Sequence, residues 1–390
     1  MSTEVVLIDG VRTPIGKFMG RVSQFSATEL GAHAIKALKE RNKLSGEDID
    51  EVIMGNVVQA GVGQAPARIA SIKGGISSSV PAFTINKVCG SGLKAVMLAA
   101  QSIKAGDASA IIAGGMGSMS NAPFLVQGAR KGFKFGDQRM IDAMIKDGLW
   151  DAFNNHHMGN SAEYTAEKSS ISRQWQDEFA LSSHQKAHAA HENGSFKDEL
   201  IPLEDRDGLI ERDESIRPDT SMEILGKLRT AFVKEGGSVT AGNAPGLNDG
   251  ASVLLVTSAE EAEKRGWTPM AKITGYAVAG TEPIDLFFAP IFSTQKLLKQ
   301  MGVGVDHFDL IEVNEAFAAQ TLADGKALDW DWERVNVNGG AISLGHPIGA
   351  SGARILTTLI WALKNRGVKT GLATICMGGG NGISLAVEAL

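Results

Sequence analysis

Asn86–Gly115, NKVCGSGLKAVMLAAQSIKAGDASAIIAGG, is echoed by Leu344–Gly380, LGHPIGASGARILTTLIWALKNRGVKTGLATICMGGG. Each stretch runs from a Ser-Gly turn into an amphipathic segment, a short connection, an apolar strand and a glycine cluster. Ser351-Gly352 stand in the second copy where Ser91-Gly92 stand in the first. In the first copy Leu93, Val96, Met97, Ala100 and Ile103 recur at helical spacing, with Lys94, Gln101 and Lys104 opposite, so a helix begins near Ser91. Cys89 then lies just before a helix N-terminus, where free N–H groups and the helix dipole favour a thiolate. A small cysteine packed inertly between strand and helix fits the same pattern. Two such units around a shared core bring the Cys89 turn beside the second turn and predict one site at the junction.

Working outward, a β-α-β rhythm precedes this stretch. Val5–Ile8 reads as a buried strand, RTPIGKF as a loop, Ala27–Arg41 as a helix, Val52–Val58 as a strand and Gln64–Gly74 as a helix. Ala110–Ala113 follows as a strand. From about Ser118 to Asn248 polar and charged residues rise and the elements become short, which marks an insertion. Within it Glu163–Asn193 reads as helical and Leu203–Ser221 as a charged loop. Ala251–Thr257 resumes a strand, Glu260–Arg265 a short helix, and Lys272–Ala279 opens a fresh β unit. Strands alternating with helices imply a sheet covered on both faces.

A chain of 390 residues exceeds what one core usually organises. Its 43% hydrophobic and 21% charged residues are ordinary for a soluble protein, and no apolar run is long enough for a membrane span. A net charge of −6 argues against a general nucleic-acid binder. Two cysteines, Cys89 and Cys376, are too few for a disulfide scaffold, and the N-terminus lacks a secretory pattern, so a reducing cytoplasm is expected. The 46 glycines fall in clusters that let backbone approach a ligand closely.

Four polar elements sit at turns of the duplicated frame: Cys89, Asn314-Glu315 in VNEAFA, His346 in GHPIGASGAR, and Cys376 in CMGGGNG. The grouping suggests acyl transfer on a cysteine. A thiol nucleophile needs a base, which His346 can supply, and a second group must handle a proton in the other half-reaction, which Cys376 can do. Charge gathering on a carbonyl oxygen needs donors, available from Asn314, His346 and the N–H groups of the glycine clusters.

In these contexts the chain resembles the thiolase family, specifically its acetyl-CoA acetyltransferase type. The segments that carry the resemblance are RTPIGKF, GNVVQAGVGQAPAR, NKVCGSGLKAV, GGMGSMSNAP, HHMGNSAE, GLNDGA, VNEAFA, NGGAISLGHPIGASGAR and CMGGGNG, in family order and spread over nearly the whole chain. The resemblance implies an α/β thiolase fold of two duplicated βαβαβαββ halves in a layered α-β-α-β-α arrangement. The halves would be residues 1–268, including a loop-domain insertion at about 119–249, and 269–390. The activity implied is reversible Claisen condensation of two acetyl-CoA to acetoacetyl-CoA and CoA. Cys89 would carry the acyl group, with His346 as its base, and Cys376 would move the α-proton of the second acetyl-CoA. His346 with a water held by Asn314 would form one oxyanion site, and the N–H groups of Cys89 and Gly378 the other. No cofactor is implied beyond the coenzyme A thioesters themselves, and family members are homodimers or homotetramers.

The insertion, by the same resemblance, covers the pantetheine arm. His157 matches a position near the bound thioester, and Arg217 and Lys227 lie where contacts to the adenosine phosphates arise. Three departures from the family pattern bear on the substrate. Pro245 replaces a serine beside the pantetheine, Gly117 replaces a glutamate, and Leu286-Phe287-Phe288 fall near the acyl pocket, where Phe287 and Phe288 would narrow it to short chains. A degradative 3-ketoacyl-CoA thiolase of broader chain length is the alternative within enzymes, and a non-catalytic acyl-CoA-binding scaffold the alternative outside them. His184, His188 and His191 recur at helical spacing, but no carboxylate is placed as a fourth ligand, so a solvated face rather than a metal site is expected. The GxGxxG-like glycine patterns do not follow the first strand as a dinucleotide fingerprint requires.

Overall fold

The computed structural model describes residues 3–390. Its frame runs, in chain order, β1 (Val5–Arg12), α1 (Ala27–Arg41), β2 (Glu51–Gly55), α2 (Pro66–Lys73), β3 (Ala82–Ile85), α3 (Ser91–Ala105) and β4 (Ala110–Ser118). The insertion follows, with α4 (Met158–Ser169) and α5 (Arg173–Glu192). The chain then re-enters the frame through β5 (Asn248–Ser258), β6 (Ala271–Gly280), α6 (Ala289–Met301), β7 (Leu310–Val313), α7 (Ala318–Leu328), α8 (Ser351–Arg366), β8 (Thr370–Met377) and β9 (Asn381–Ala389).

Hydrogen bonding orders the strands β7-β8-β9-β6-β1-β5-β4-β2-β3, with the two-residue strand Gly16–Lys17 on β5. The two halves repeat the same pairing. β1 and β6 each run antiparallel to a long strand, β5 and β9, which runs antiparallel to β4 and β8, and these pair in parallel with β2 and β7. The place of β3 is taken in the second half by a single parallel bridge from Val335 to Ile311. Two residue pairs, Val6–Lys272 and Leu7–Ala271, join the half-sheets.

Between the half-sheets lie α3 and α8, in one apolar cluster with residues of β1, β4, β5, β8 and β9. From Ser351 to Leu363 every residue of α8 is buried, as a helix packed on all sides requires. The two helices touch at Gly92 and Gly352: a Cβ on Gly92 would stand 2.6 Å from the Ala353 nitrogen, and one on Gly352 2.5 Å from that of Leu93. Only glycine at both positions lets the backbones meet, and this crossing places the Cys89 turn beside the His346 turn. The outer face of the first half-sheet is covered by α1 and α2. α1 starts at Ser26, whose hydroxyl and Glu29 form a capping box. α6 covers the second half-sheet.

The insertion differs from expectation in two places. The helix expected over Glu163–Asn193 is two, because Ser170 takes a left-handed conformation (φ 54°) and Ser172 caps α5 by accepting the Trp175 N–H. The serine run Ser169-Ser170 followed by Ser172 is the signal for this break. The charged stretch after Leu203 contains a hairpin, Leu203–Asp205 with Gly208–Ile210, and Arg21 grips Asp205. A buried ionic joint ties the insertion to β1: Arg12 binds Glu199 at 2.5 Å and Asp213 through both its terminal nitrogens at 2.7 and 3.0 Å. Of the expected solvated histidine face of α5, His184 and His191 are instead part of this packing, while His188 stays partly exposed. His184 is buried and accepts the Arg217 N–H, and His191 bonds Asp213 at 2.9 Å. Among the described residues no group of three or more metal-ligating side chains gathers, and no helix is long and apolar enough to cross a membrane.

Candidate active site

The turn Asn86–Ser91 holds Cys89 between β3 and α3. Val88 is forced to φ 47°, a left-handed conformation that costs a β-branched residue about 1–3 kcal/mol. Neighbouring groups hold it there. The Asn86 carboxamide accepts the Val88 N–H at 3.0 Å, while Ser91 Oγ accepts the Lys87 N–H at 2.8 Å and donates to the Val88 carbonyl at 2.6 Å. Gly90 is required by proximity, since a Cβ would fall 2.2 Å from Met377 Sδ.

The Cys89 thiol reaches a cavity of about 330 Å³, which Cys376, His346, Gly378 and His157 also line. The backbone N–H groups of Gly378 and of Cys89 itself, the two donors expected to face an acyl oxygen, act to lower its pKa. Burial outweighs them and pushes the thiol up to about 12, which favours a neutral thiol at rest over the thiolate a helix start suggested. The helix has no side-chain cap at Gly90, and its end effect does not compensate the loss of water.

Cys376 is the penultimate residue of β8, two residues before Gly378-Gly379-Gly380, and is 1% exposed. Burial drives its thiol upward, and the neighbouring Cys89 drives it further, so the two sulfurs do not hold negative charge together.

His346 follows Gly345, and its N–H donates to Asn248 Oδ1 at 2.8 Å. Asn248 also donates to the Gly16 carbonyl and to Ser215, fastening the RTPIGKF loop and the insertion to the histidine turn. On the ring, Nδ1 lies 2.6 Å from Ser351 Oγ. Ser351 gives its own proton to the Pro347 carbonyl at 2.9 Å, so it accepts from Nδ1–H, and the neutral ring keeps Nε2 bare. Burial and the Arg354 charge lower His346 to about 3, which keeps it neutral and able to accept a proton. Asn314 Nδ2 stands 3.4 Å from Nε2, and Asn314 Oδ1 is buried with no partner. Such an orphaned acceptor fits a bound water, the role expected of this side chain.

The wall opposite is aromatic. His157 caps α4, accepting the Gly159 N–H on Nδ1, and stacks on Phe232 with centroids 4.9 Å apart. Phe232 meets Phe317, and Phe317 meets Phe287 edge-on at 5.4 Å. Pro245 lines the mouth with Ala244 and Leu247. Phe288 is a correction: it follows Phe287 on a one-turn helical segment, so its ring points elsewhere, beneath the Lys168 ammonium and outside the cavity. Lys227 is also not brought to the cavity, since it is exposed and pairs with Glu223 one helical turn away. Arg217 is exposed too, but its guanidinium holds the carbonyl of Ala241, a cavity residue, at 3.3 Å. Asn248 and Phe317 belong to the site from within the GLNDGA and VNEAFA segments, where neither was singled out, and Phe232 joins them without a sequence signal of its own. Ser351 had one, its equivalence in the repeat to Ser91.

Known proteins match the chain along nearly its whole length. Residues 5–260 match the thiolase N-terminal domain and residues 267–389 the thiolase C-terminal domain. The acetyl-CoA acetyltransferase of Allochromatium vinosum is 50% identical over 395 residues, spanning 100% of both chains. That of Pseudomonas aeruginosa is 50% identical over 389 residues, 98% of this chain and 99% of its own. The crystal structure of the Bacillus anthracis acetyl-CoA acetyltransferase superposes with a TM-score of 0.97 at 40% identity, covering 100% of this chain and 99% of that one. The chain belongs to the thiolase family.

Proposed function

We propose that the protein is an acetyl-CoA C-acetyltransferase that condenses two acetyl-CoA to acetoacetyl-CoA and CoA, and runs the reverse thiolysis, through an acetyl-Cys89 intermediate. The observation that carries this reading is the pairing of two thiols, Cys89 and Cys376, in one cavity with a bare imidazole nitrogen on His346 and the Gly378 N–H. Acetyl-CoA acetyltransferases at about half identity over the full length support it.

Both groups are neutral at rest, so proton transfer from Cys89 to His346 Nε2 accompanies attack on the thioester rather than preceding it. The Cys89 sulfur bonds the carbonyl carbon, the N–H groups of Cys89 and Gly378 hold the oxygen, and the bond to the CoA sulfur breaks. The leaving CoA sulfur takes the proton of Cys376. That leaves a Cys376 thiolate beside a protonated His346, and acylation of Cys89 has removed the competing negative sulfur. Cys376 then takes the α-proton of the second acetyl-CoA. The enolate oxygen is held by His346 Nε2–H and by a water on Asn314. Its carbon attacks the acetyl group, the bond to the Cys89 sulfur breaks, and Cys89 recovers its proton from His346.

We read the chain as halves dividing near residue 268, with the insertion at about 119–249 covering the pantetheine through His157, Pro245 and Arg217. Self-association runs through the edge strand β3, whose residues are only partly buried. Phe287, closing the cavity against Phe317, supports short acyl chains over the broad range of a degradative thiolase. Mass spectrometry after addition of acetyl-CoA tests the mechanism: one acetyl group on Cys89, absent in Cys89→Ser, and still formed in Cys376→Ser, more slowly because the leaving CoA thiolate must then take its proton from water, while condensation collapses. An unmodified wild-type protein, or loss of the adduct in Cys376→Ser, overturns it.

A further inference from the structure

Asp324 on α7 is wholly buried, and the reaction described above does not use it. One of its oxygens accepts from Gln320 Nε2 at 2.6 Å, and the other, Oδ1, is buried with no partner. Gln320 in turn accepts the Ala316 N–H on Oε1 at 3.0 Å. An N–H can only donate, so the Gln320 amide is oriented without ambiguity, and Nε2 must face Asp324. Ala316 lines the cavity and packs in the same apolar cluster as Cys376 and Phe287. It lies two residues beyond Asn314, to whose carbonyl its N–H also points at 2.9 Å.

We propose that Asp324 is a positioning residue for the reaction at Cys376: through Gln320 it holds the Ala316 N–H, and with it the turn that carries Asn314 and one wall of the cavity. The inference rests on the roles given above to Cys376 and Asn314. Without the carboxyl, Gln320 Nε2 is left buried without the acceptor that anchors it, so the amide that pairs with the Ala316 N–H and the Thr321 hydroxyl is no longer held from its far side, and the Asn314 side chain loses its fixed distance from His346. Burial with one amide contact drives Asp324 well above the usual carboxylate range, so the group accepts the Gln320 bond as an uncharged acid. A charge there would oppose the Cys376 thiolate that the second half-reaction needs.

The test compares D324L with D324N. D324L removes the acceptor and is expected to lower kcat for condensation by about 10- to 100-fold with KM within about 3-fold, while acetylation of Cys89 persists. D324N keeps an acceptor for Nε2 without a charge and is expected to restore kcat to within about 3-fold of wild type. Wild-type turnover in D324L, or equal loss in both variants, overturns the proposal. Should D324L not fold, Gln320→Met, which removes the bridge and leaves Asp324 in place, decides: the same loss of kcat with KM within about 3-fold is expected, and wild-type turnover overturns the proposal. Wild-type protein that forms acetyl-Cys89 and condenses acetyl-CoA shows the underlying reaction to be intact; failure of that control concerns the proposed function and not Asp324.

Discussion

The Ser351 hydroxyl accepts the Nδ1 proton of His346 at 2.6 Å and passes its own proton to the Pro347 carbonyl. The serine thereby selects the tautomer in which Nε2 faces the cavity unprotonated. Ser351→Ala removes this selection and leaves the Nδ1–H buried without a partner. We expect kcat to fall by about 10- to 100-fold with KM little changed. Steady-state kinetics with acetoacetyl-CoA and CoA check it, and Ser351→Thr, which keeps the hydroxyl, recovers most of the loss.

The resting Cys89 is a neutral thiol raised to about 12. A group with that pKa is almost wholly protonated at neutral pH, and its thiolate fraction grows about tenfold per pH unit until the pKa is neared. Iodoacetamide inactivation is therefore expected to accelerate steadily from pH 6 to 9 with no plateau (~10-fold per unit). Because His346 stays neutral down to about 3, no inflection near the usual imidazole value should appear. A plateau above pH 7 would show a preformed thiolate.

Phe287 lines the cavity and Phe288 does not. Phe287→Ala opens space beside the acyl group and is expected to raise the ratio of kcat/KM for 3-ketohexanoyl-CoA over acetoacetyl-CoA by about tenfold or more. Phe288→Ala should leave that ratio unchanged. A chain-length series on both variants separates them.

Arg12 joins β1 to Glu199 and Asp213 with no exposure on either side. The charge of Arg12 and the His191 bond keep Asp213 ionised against its burial, whereas Glu199 is shifted the other way by burial despite the same arginine. The two-pronged contact makes Asp213 the compensating charge. Arg12→Met leaves that charge buried with only the His191 ring and the Ile15 N–H against it, at a cost of about 3–5 kcal/mol. Denaturant unfolding measures it, and limited proteolysis is expected to cut first within the insertion.

Much of the site was legible because its chemistry is bound to short local patterns. Cys89 before a helix start, His346 in GHPIG and Cys376 before three glycines each sit at a turn, and turns are written in a few adjacent residues. Phe287 and Phe288 show the limit of such reading. Adjacent in sequence and alike in chemistry, they are separated only by the direction of each side chain on one helical turn. The serine break between α4 and α5 was legible in composition and still overridden by the longer helical pattern on both sides.

The sequence by itself determined the duplicated α/β frame and singled out the two thiols and the histidine that the fold brings to one cavity, since periodicity and glycine placement act locally and were repeated twice in one chain. Only the tertiary structure decided the states of those groups. In it burial pushes the Cys89 thiol up where a helix start alone favours thiolate, Ser351 sets the His346 tautomer, and Asp324 is buried behind the Gln320 bond to the Asn314 turn. The physical reason is desolvation: the protonation of a group depends on how much water and which donors the folded chain leaves around it, and those come from residues distant in sequence.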